Sequence, residues 1–246
     1  MRTGNYRDCP QRSRNLDEDM TESKTAIIVQ ARTGSVRLPR KVLLPWNNRT
    51  ILGEVLERCM ATGIKTVLAV PHMDLGLALF HEPCFVGNEI DVLDRYYQAA
   101  LHYKIQTIIR ITADCPFTNP EIINAMIEGW VLSDNSFDYY SNCHPIRTVP
   151  KGFDVEIFTF SALKKAWEDA PYKKHFREHV TPYLYESGKF NIGTFEPYPP
   201  IPPTEQNFSV DTREDYERLK QLWEDHYGTA NGSTANNKDS CNRCTA

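Results

Sequence analysis

Short aliphatic runs of strand character alternate with segments of helical spacing through most of this 246-residue chain. Few folds accommodate that order. Residues 26–30 form a buried-strand run. Behind Thr50, a residue type that caps helices, Ile51, Leu52, Val55, Leu56 and Cys59 fall at helical spacing. A second strand is expected at 65–70, ended by Pro71, and a third at 84–86. Asp91 heads a helix over 92–101, a strand follows at 107–112, and Pro120 opens a helix over 120–130. Strands at 138–141, 155–158 and 189–194, with helices at 161–167 and 213–226, complete the pattern. An α/β sheet, mostly parallel at its start, follows from this order. Ligands of such sheets lie at the carboxyl ends of the strands, so the residues there carry the functional argument.

Both ends read as tails. Residues 1–24 are polar, with Met20 as a candidate native start, and residues 229–246 are small, polar and without a periodic apolar face, the composition of a disordered segment. The longest unbroken aliphatic run, 26–29, is far short of the about 20 residues that span a bilayer. No apolar stretch follows the four arginines of 1–15, so no secretory signal is expected. Residues 25–228 keep 21 basic against 26 acidic groups, which disfavours a nucleic-acid binder held by bulk positive charge. An anionic ligand must be met by a local basic cluster. Seven irregularly spaced cysteines read as free thiols in a reducing cytoplasm.

Such a cluster follows the first strand. Residues 31–41, Ala-Arg-Thr-Gly-Ser-Val-Arg-Leu-Pro-Arg-Lys, hold four cations, a glycine and two hydroxyls at a strand's carboxyl end. Backbone amides near Gly34 and Ser35, flanked by Arg and Lys, are what a polyphosphate requires: several donors and compensating charge. Asp114 ends a later strand, and Asp211 precedes the last helix. Two carboxylates facing a phosphate loop suit Mg²⁺, which prefers one or two carboxylates with phosphate oxygens. Asp211 or Thr212 could equally serve as a helix cap.

Six strings carry a resemblance: IIVQARTGSVRLPRKVL (27–43), DVLDRYYQA (91–99), RITADCPF (110–117), KGFDVEIF (151–158), REHVTPYLY (177–185) and SVDTRED (209–215). In this order they resemble the cytidylyltransferase family, which includes CMP-KDO synthetase, acylneuraminate cytidylyltransferases and the spore coat polysaccharide biosynthesis protein F group. The resemblance spans 25–228 and implies a glycosyltransferase-A-like, three-layer nucleotidyltransferase fold with a mostly parallel mixed sheet. It implies a cytoplasmic enzyme that joins an acidic, ulosonic-acid-type sugar to CMP from CTP, with Mg²⁺ as cofactor and pyrophosphate as product, for a surface polysaccharide. Carried over by position, Ala31, Arg32, Gly34, Ser35, Arg37, Lys41 and Asp114 bind the nucleotide, with Arg32, Arg37 and Lys41 clamping the triphosphate as the catalytic cations. Asp114 and Asp211 match the metal-binding aspartates. Lys151, Asp154, Arg177, Glu178 and His179 match the sugar side, where Lys151 and Arg177 would pair with an acceptor carboxylate. Relatives often dimerise, so a homodimer is the implied assembly, with no nucleic-acid or membrane partner.

The chain departs from the family pattern at three places. Arg40 stands where glycine is usual, which strains the loop if that position needs a positive φ and otherwise adds a fourth cation. Ala113 stands where many relatives carry glycine, and the 71–83 region is short. Two other readings keep part of the argument: a sugar-phosphate or polyol-phosphate acceptor, or a nucleotide-sugar-binding subunit without turnover. The CxxC at 241–244 has no second pair and reads as chance. Tyr96 and Tyr97 read as core residues of a helix.

Overall fold

A computed structural model describes residues 24–134, 136–201 and 204–227. The expectations for the two tails, for Met20 and for the 241–244 CxxC lie outside these residues, as do Cys9, Cys241 and Cys244. The other four cysteines are free thiols.

The centre of the fold is β1 (Thr25–Gln30), whose interior residues are buried on both sides of the chain. That is what a middle strand of a parallel sheet demands. It pairs in parallel with β4 (Thr66–Pro71) on one side and with β6 (Thr107–Thr112) on the other. Outside β4 lies β5 (Cys84–Gly87), also parallel. Beyond β6 the direction changes. β8 (Glu156–Thr159) runs antiparallel to β6 and to β7 (Tyr139–Ser141), and β9 (Ile192–Thr194) closes the edge parallel to β7. The seven strands therefore lie in the order β5-β4-β1-β6-β8-β7-β9, with β8 alone reversed. β1 connects toward β4 and β5 while β6 lies on its other side, so the order reverses at β1 and leaves a crevice at the carboxyl ends of β1 and β6.

Alternating residues of β1 supply two cores. Ile27 and Val29 pack with α1 (Ile51–Met60) and α3 (Pro120–Leu132) on one face. Ala26 and Ile28 pack with α2 (Val92–His102), α4 (Phe160–Asp169) and α6 (Pro182–Glu186) on the other. The result is the three-layer α/β arrangement with a mostly parallel mixed sheet. Helix starts are local: Thr50 accepts from the Gly53 amide at 3.1 Å, and Asp91 from the Asp94 amide at 2.9 Å. Tyr96 is fully buried, with its hydroxyl donating to the Ile28 carbonyl at 3.1 Å.

A third cluster has no counterpart in the strand–helix alternation. The short hairpin of β2 (Pro45–Trp46) and β3 (Arg49–Thr50) presents Trp46 to Phe117, Val210, Tyr216 and Trp223, the last two on α7 (Arg213–Tyr227). Two-residue strands show no period, which is why the sequence reading passes over them. A segment of 3₁₀ turns, His72–Phe80, occupies the short region after Pro71.

The reversed strand is held by charge. Arg110 on β6 and Glu156 on β8 are register partners and form an ion pair. The Glu156 carboxylate, 2% exposed, also accepts from the Tyr139 hydroxyl at 2.6 Å and the Thr181 hydroxyl at 2.7 Å. Such a pair tolerates burial because its remaining lone pairs are satisfied. Glu156→Gln should leave Arg110 as an uncompensated buried charge and lower stability by about 3–5 kcal/mol in urea unfolding.

Candidate active site

The crevice at the carboxyl ends of β1 and β6 is a cleft of about 390 Å³, within the range of small-ligand sites. Ala31, Arg32, Ser35, Arg37 and Lys41 line it from the loop after β1. Asp114, Lys151, Asp154, Glu178, His179 and Asp211 line it from the other elements. Two expected residues are elsewhere. Gly34 is exposed and does not line the cleft, and a Cβ there would meet nothing within 4 Å. Arg177 is turned away.

Thr33 organises the loop. Its amide and hydroxyl donate to the Asp74 carboxylate at 2.7 and 2.5 Å, and its carbonyl accepts from the Ser35 and Arg40 amides, both at 2.9 Å. The Ser35 amide is thus already used within the loop. Arg40 sits at φ 57°, ψ 25°, in the left-handed region. The position where the family usually has glycine therefore does carry a positive φ, and Arg40 is strained there. The turn Lys41–Leu43 follows directly and projects Lys41 into the cleft.

Lys41 is the meeting point of the site. Its ammonium lies 2.6 Å from Asp114 Oδ2, 3.2 Å from Asp211 Oδ1 and 2.8 Å from the Val210 carbonyl. Burial opposes the lysine charge, but the two carboxylates outweigh it and raise the Lys41 pKa. The loop after β6 and the segment before α7, which bear these aspartates, are joined by the Val210 amide donating to the Asp114 carbonyl at 2.8 Å; the latter segment is not a strand. Asp211 also faces Arg37 Nη2 at 3.0 Å and Lys151 Nζ at 3.2 Å. Burial pushes its carboxyl up, yet the charges of Lys41 and Lys151 hold it below the usual aspartate value.

Asp211 is not the helix cap. Thr212 Oγ1 accepts from the Asp215 amide at 3.2 Å, and Asp215 Oδ2 accepts from the Thr212 amide at 3.0 Å. This reciprocal pair has the capping-box arrangement, and it leaves the Asp211 carboxylate to the cleft.

On the facing wall, Gly152 is held at φ +104°, and a Cβ there would lie 2.5 Å from the Phe208 carbonyl carbon. Only glycine lets the Lys151–Asp154 stretch press against the chain leading to Asp211. Asp154 accepts from both terminal nitrogens of Arg147, at 2.6 and 2.9 Å, a partner the sequence reading missed. His179 lines the cleft, and burial, with Arg110, His175 and Arg32 nearby, lowers its pKa despite Glu178.

The short helix α5 (Lys174–His179) separates Arg177 from Glu178. Glu178 accepts from Arg32 Nη2 at 2.6 Å, across the cleft mouth. Arg177 Nη2 donates to the Trp167 and Ala170 carbonyls, both at 3.1 Å, and Nη1 lies 3.4 Å from Asp91. The two terminal nitrogens of the guanidinium tie α5 to α4 and to the start of α2, while its buried Nε has no partner, and Arg177 does not line the cleft, so the expected acceptor contact is corrected to a structural one. A second cluster, Cys143, His144 and Glu156, brings three donor atoms within 4.8 Å. Its carboxylate is already committed to Arg110, Tyr139 and Thr181.

Two expectations follow. A glycine at position 40 loses the left-handed penalty while freeing the unfolded chain, so Arg40→Gly should raise stability by about 0.5–1 kcal/mol in urea unfolding. Burial pushes the Glu178 carboxyl up, but the Arg32 bond and charge and Lys174 pull it lower, for a net pKa below the ordinary 4.5. The stability this supplies is complete above pH 4.5 and is lost as pH falls through the lowered value. Glu178→Gln should therefore flatten the acid limb of a Tm–pH curve below pH 4.5.

Comparison with known proteins places the chain in a family. The family model for cytidylyltransferases matches residues 26–237. The chain is 38% identical over 209 residues to an uncharacterised protein of Methanocaldococcus jannaschii, covering 79% of this chain and 81% of that one. It is 28% identical over 215 residues to the spore coat polysaccharide biosynthesis protein SpsF of Bacillus subtilis, covering 80% and 85%. It is 25% identical over 218 residues to a 3-deoxy-manno-octulosonate cytidylyltransferase of Elusimicrobium minutum, covering 80% and 84%. A solved cytidylyltransferase from Leptospira borgpetersenii superposes with a TM-score of 0.71 at 32% identity, covering 81% of this chain and 86% of that one. A CMP:2-keto-3-deoxy-manno-octonic acid synthetase solved with CTP shares the fold, with a TM-score of 0.63 at 16% identity and coverage of 82% and 99%. The family match runs through every element that shapes the cleft, and the chain belongs to the cytidylyltransferase family.

Proposed function

We propose that this protein is a cytoplasmic, Mg²⁺-dependent enzyme that transfers CMP from CTP to an acidic sugar of the ulosonic-acid type, releasing pyrophosphate, in surface polysaccharide biosynthesis. The observation that carries the reading is the convergence of Asp114 and Asp211 on the single ammonium of Lys41, beneath the basic loop after β1. The relatives named for 3-deoxy-manno-octulosonate and for spore coat polysaccharide support the choice of acceptor and pathway class.

The two carboxylates already share one cation, 2.6 and 3.2 Å from their oxygens, and offer the oxygen donors that Mg²⁺ takes alongside phosphate. When bound there, the metal supplies charge neutralisation at the α-phosphate and acidifies the acceptor hydroxyl. Arg32, Arg37 and Lys41 offer the cations that hold the triphosphate and stabilise the charge of departing pyrophosphate. The acceptor oxygen forms a bond to the α-phosphorus as the bond to the β-phosphate oxygen breaks. Little covalent chemistry is asked of the protein, so the cleft acts by positioning and fixed charge. His179, with its lowered pKa, is neutral at pH 7 and acts as a hydrogen-bonding wall on the acceptor side.

Pyrophosphate release, measured with each of the four NTPs and Mg²⁺ against 3-deoxy-ulosonic acids and sugar phosphates, tests this. Release that requires CTP and an acidic sugar is the expected result. Dependence on another nucleotide or on a phosphorylated acceptor overturns the specificity. Asp114→Asn should lower turnover by about 10²-fold or more with an unchanged circular dichroism spectrum, and full activity would remove Asp114 from the machinery.

A further inference from the structure

Arg95 lies one turn into α2, on the stripe that Val92, Tyr96 and Ala99 turn toward the sheet, and is 1% exposed. A guanidinium never loses its charge in a protein, so burial there must be compensated. The other deeply set arginines show what compensation looks like. Arg110 has Glu156, Arg177 has Asp91, and Arg58 has Glu54 at 2.8 Å. Arg95 has no carboxylate within ion-pair distance among the described residues. Its Nη1 donates to the Asn88 carbonyl at 2.6 Å, and its buried Nε donates to nothing; the Arg177 Nε is also without a partner, but Asp91 meets that charge, so the missing carboxylate is what sets Arg95 apart.

The acids nearest in charge do not close the gap. Asp74 spends both oxygens on Thr33, and Glu89 is exposed. Arg32, beside it, adds positive charge. Burial above all, with Arg32, brings the Arg95 pKa down to about 10 despite Tyr96, Asp74 and Glu89. Room has been made for the side chain: a Cβ on Gly87 would come within 3.1 Å of Arg95 Cγ. The residue lines the same cleft as Ala31, Arg32 and Lys41. A nine-tenths buried guanidinium without a carboxylate partner, on a residue that lines a ligand-sized cleft, is a site whose counterion arrives with the ligand.

We propose that Arg95 is an oxyanion-binding residue of the cleft, receiving either a phosphate of the nucleotide or the carboxylate of the acceptor. The two candidate anions rest on the cytidylyltransferase reading above, whereas the unpaired charge does not. Arg95 takes the role that Arg177 was expected to fill on the sugar side, or adds a cation to the loop on the phosphate side.

Thermal unfolding with two probes, inorganic tripolyphosphate and 3-deoxy-manno-octulosonate, tests this on the full chain. At least one should stabilise the wild-type protein. Arg95→Met keeps the packed stem and removes the unpaired charge, so its midpoint without anion should match or exceed that of wild type. Its apparent affinity for that probe should fall by about 10- to 100-fold, the scale of a lost charge-assisted hydrogen bond. A loss confined to tripolyphosphate assigns the nucleotide, and one confined to the octulosonate assigns the acceptor. Unchanged affinity for both probes, or a wild-type protein insensitive to both, overturns the proposal. Should Arg95→Met not fold, ¹⁵N-arginine spectra of the wild type decide: the Nε–H resonance missing from Arg95→Lys must shift with one probe, and a resonance still with both overturns the site. Pyrophosphate release from CTP is scored separately, so failure of the enzyme reading and failure of this site are told apart.

Discussion

The buried carboxylate of Glu156 is the contact on which both halves of the molecule depend. Its charge sits on the reversed strand, where no water can share it, and donors from β6, β7 and the turn after α5 converge on it: Arg110, Tyr139 and Thr181. Removing any of them would leave a polar group stranded in the sheet. The acceptor side of the cleft hangs from this contact. Asp154 lies two residues before Glu156, and Glu178 and His179 lie three and two residues before Thr181. A packing requirement of the core thus sets the spacing between the phosphate loop on β1 and the groups that face it.

The cleft itself is electrostatically self-satisfied in all but one place. Asp211 faces Arg37, Lys41 and Lys151, Arg32 is held by Glu178, and Arg147 neutralises Asp154. Cations that stay near carboxylates need not be carried through empty low-dielectric space, and they can be exchanged for ligand phosphates at little reorganisation. Arg95 is the exception, because among the described residues no carboxylate lies within ion-pair distance of it and its Nε has no partner. The loop residues are also braced from outside the cleft, by Asp74 through Thr33. That bracing holds the backbone even though Arg40 occupies a conformation that costs a side chain about 1–2 kcal/mol.

Much of this was legible from local pattern. The buried run of β1, the caps at Thr50 and Asp91, and the proline opening α3 are decided by groups within three or four residues of one another. The order of elements then leaves little choice of sheet, and the composition of the loop after β1 marks its ligand chemistry. Arg95 carried a signal too: an arginine at helical spacing from Val92 and Ala99, on an apolar stripe. The hairpin that presents Trp46 was not legible, since two residues have no period to read. Nor could local pattern decide between Asp211 and Thr212 as the cap of α7, because both are good cap residues and only the position of Asp215 selects one.

Adjacent residues make the limit plain. Arg177 and Glu178 stand side by side in one string of sequence, yet about 100° of helical rotation separates them. One spends its charge on Asp91 and two carbonyls, and the other reaches Arg32 across 146 residues. Lys41 meets Asp114 and Asp211 across 73 and 170 residues. The sequence alone determined the main strands and helices, their order and the kinds of charge placed in the loops that follow them, because those follow from short-range sterics and hydrophobic period. Which cation meets which carboxylate, and which one is left without a partner, was decided only when the sheet brought distant segments to one edge, because charge pairing depends on distance in space and on burial rather than on spacing along the chain.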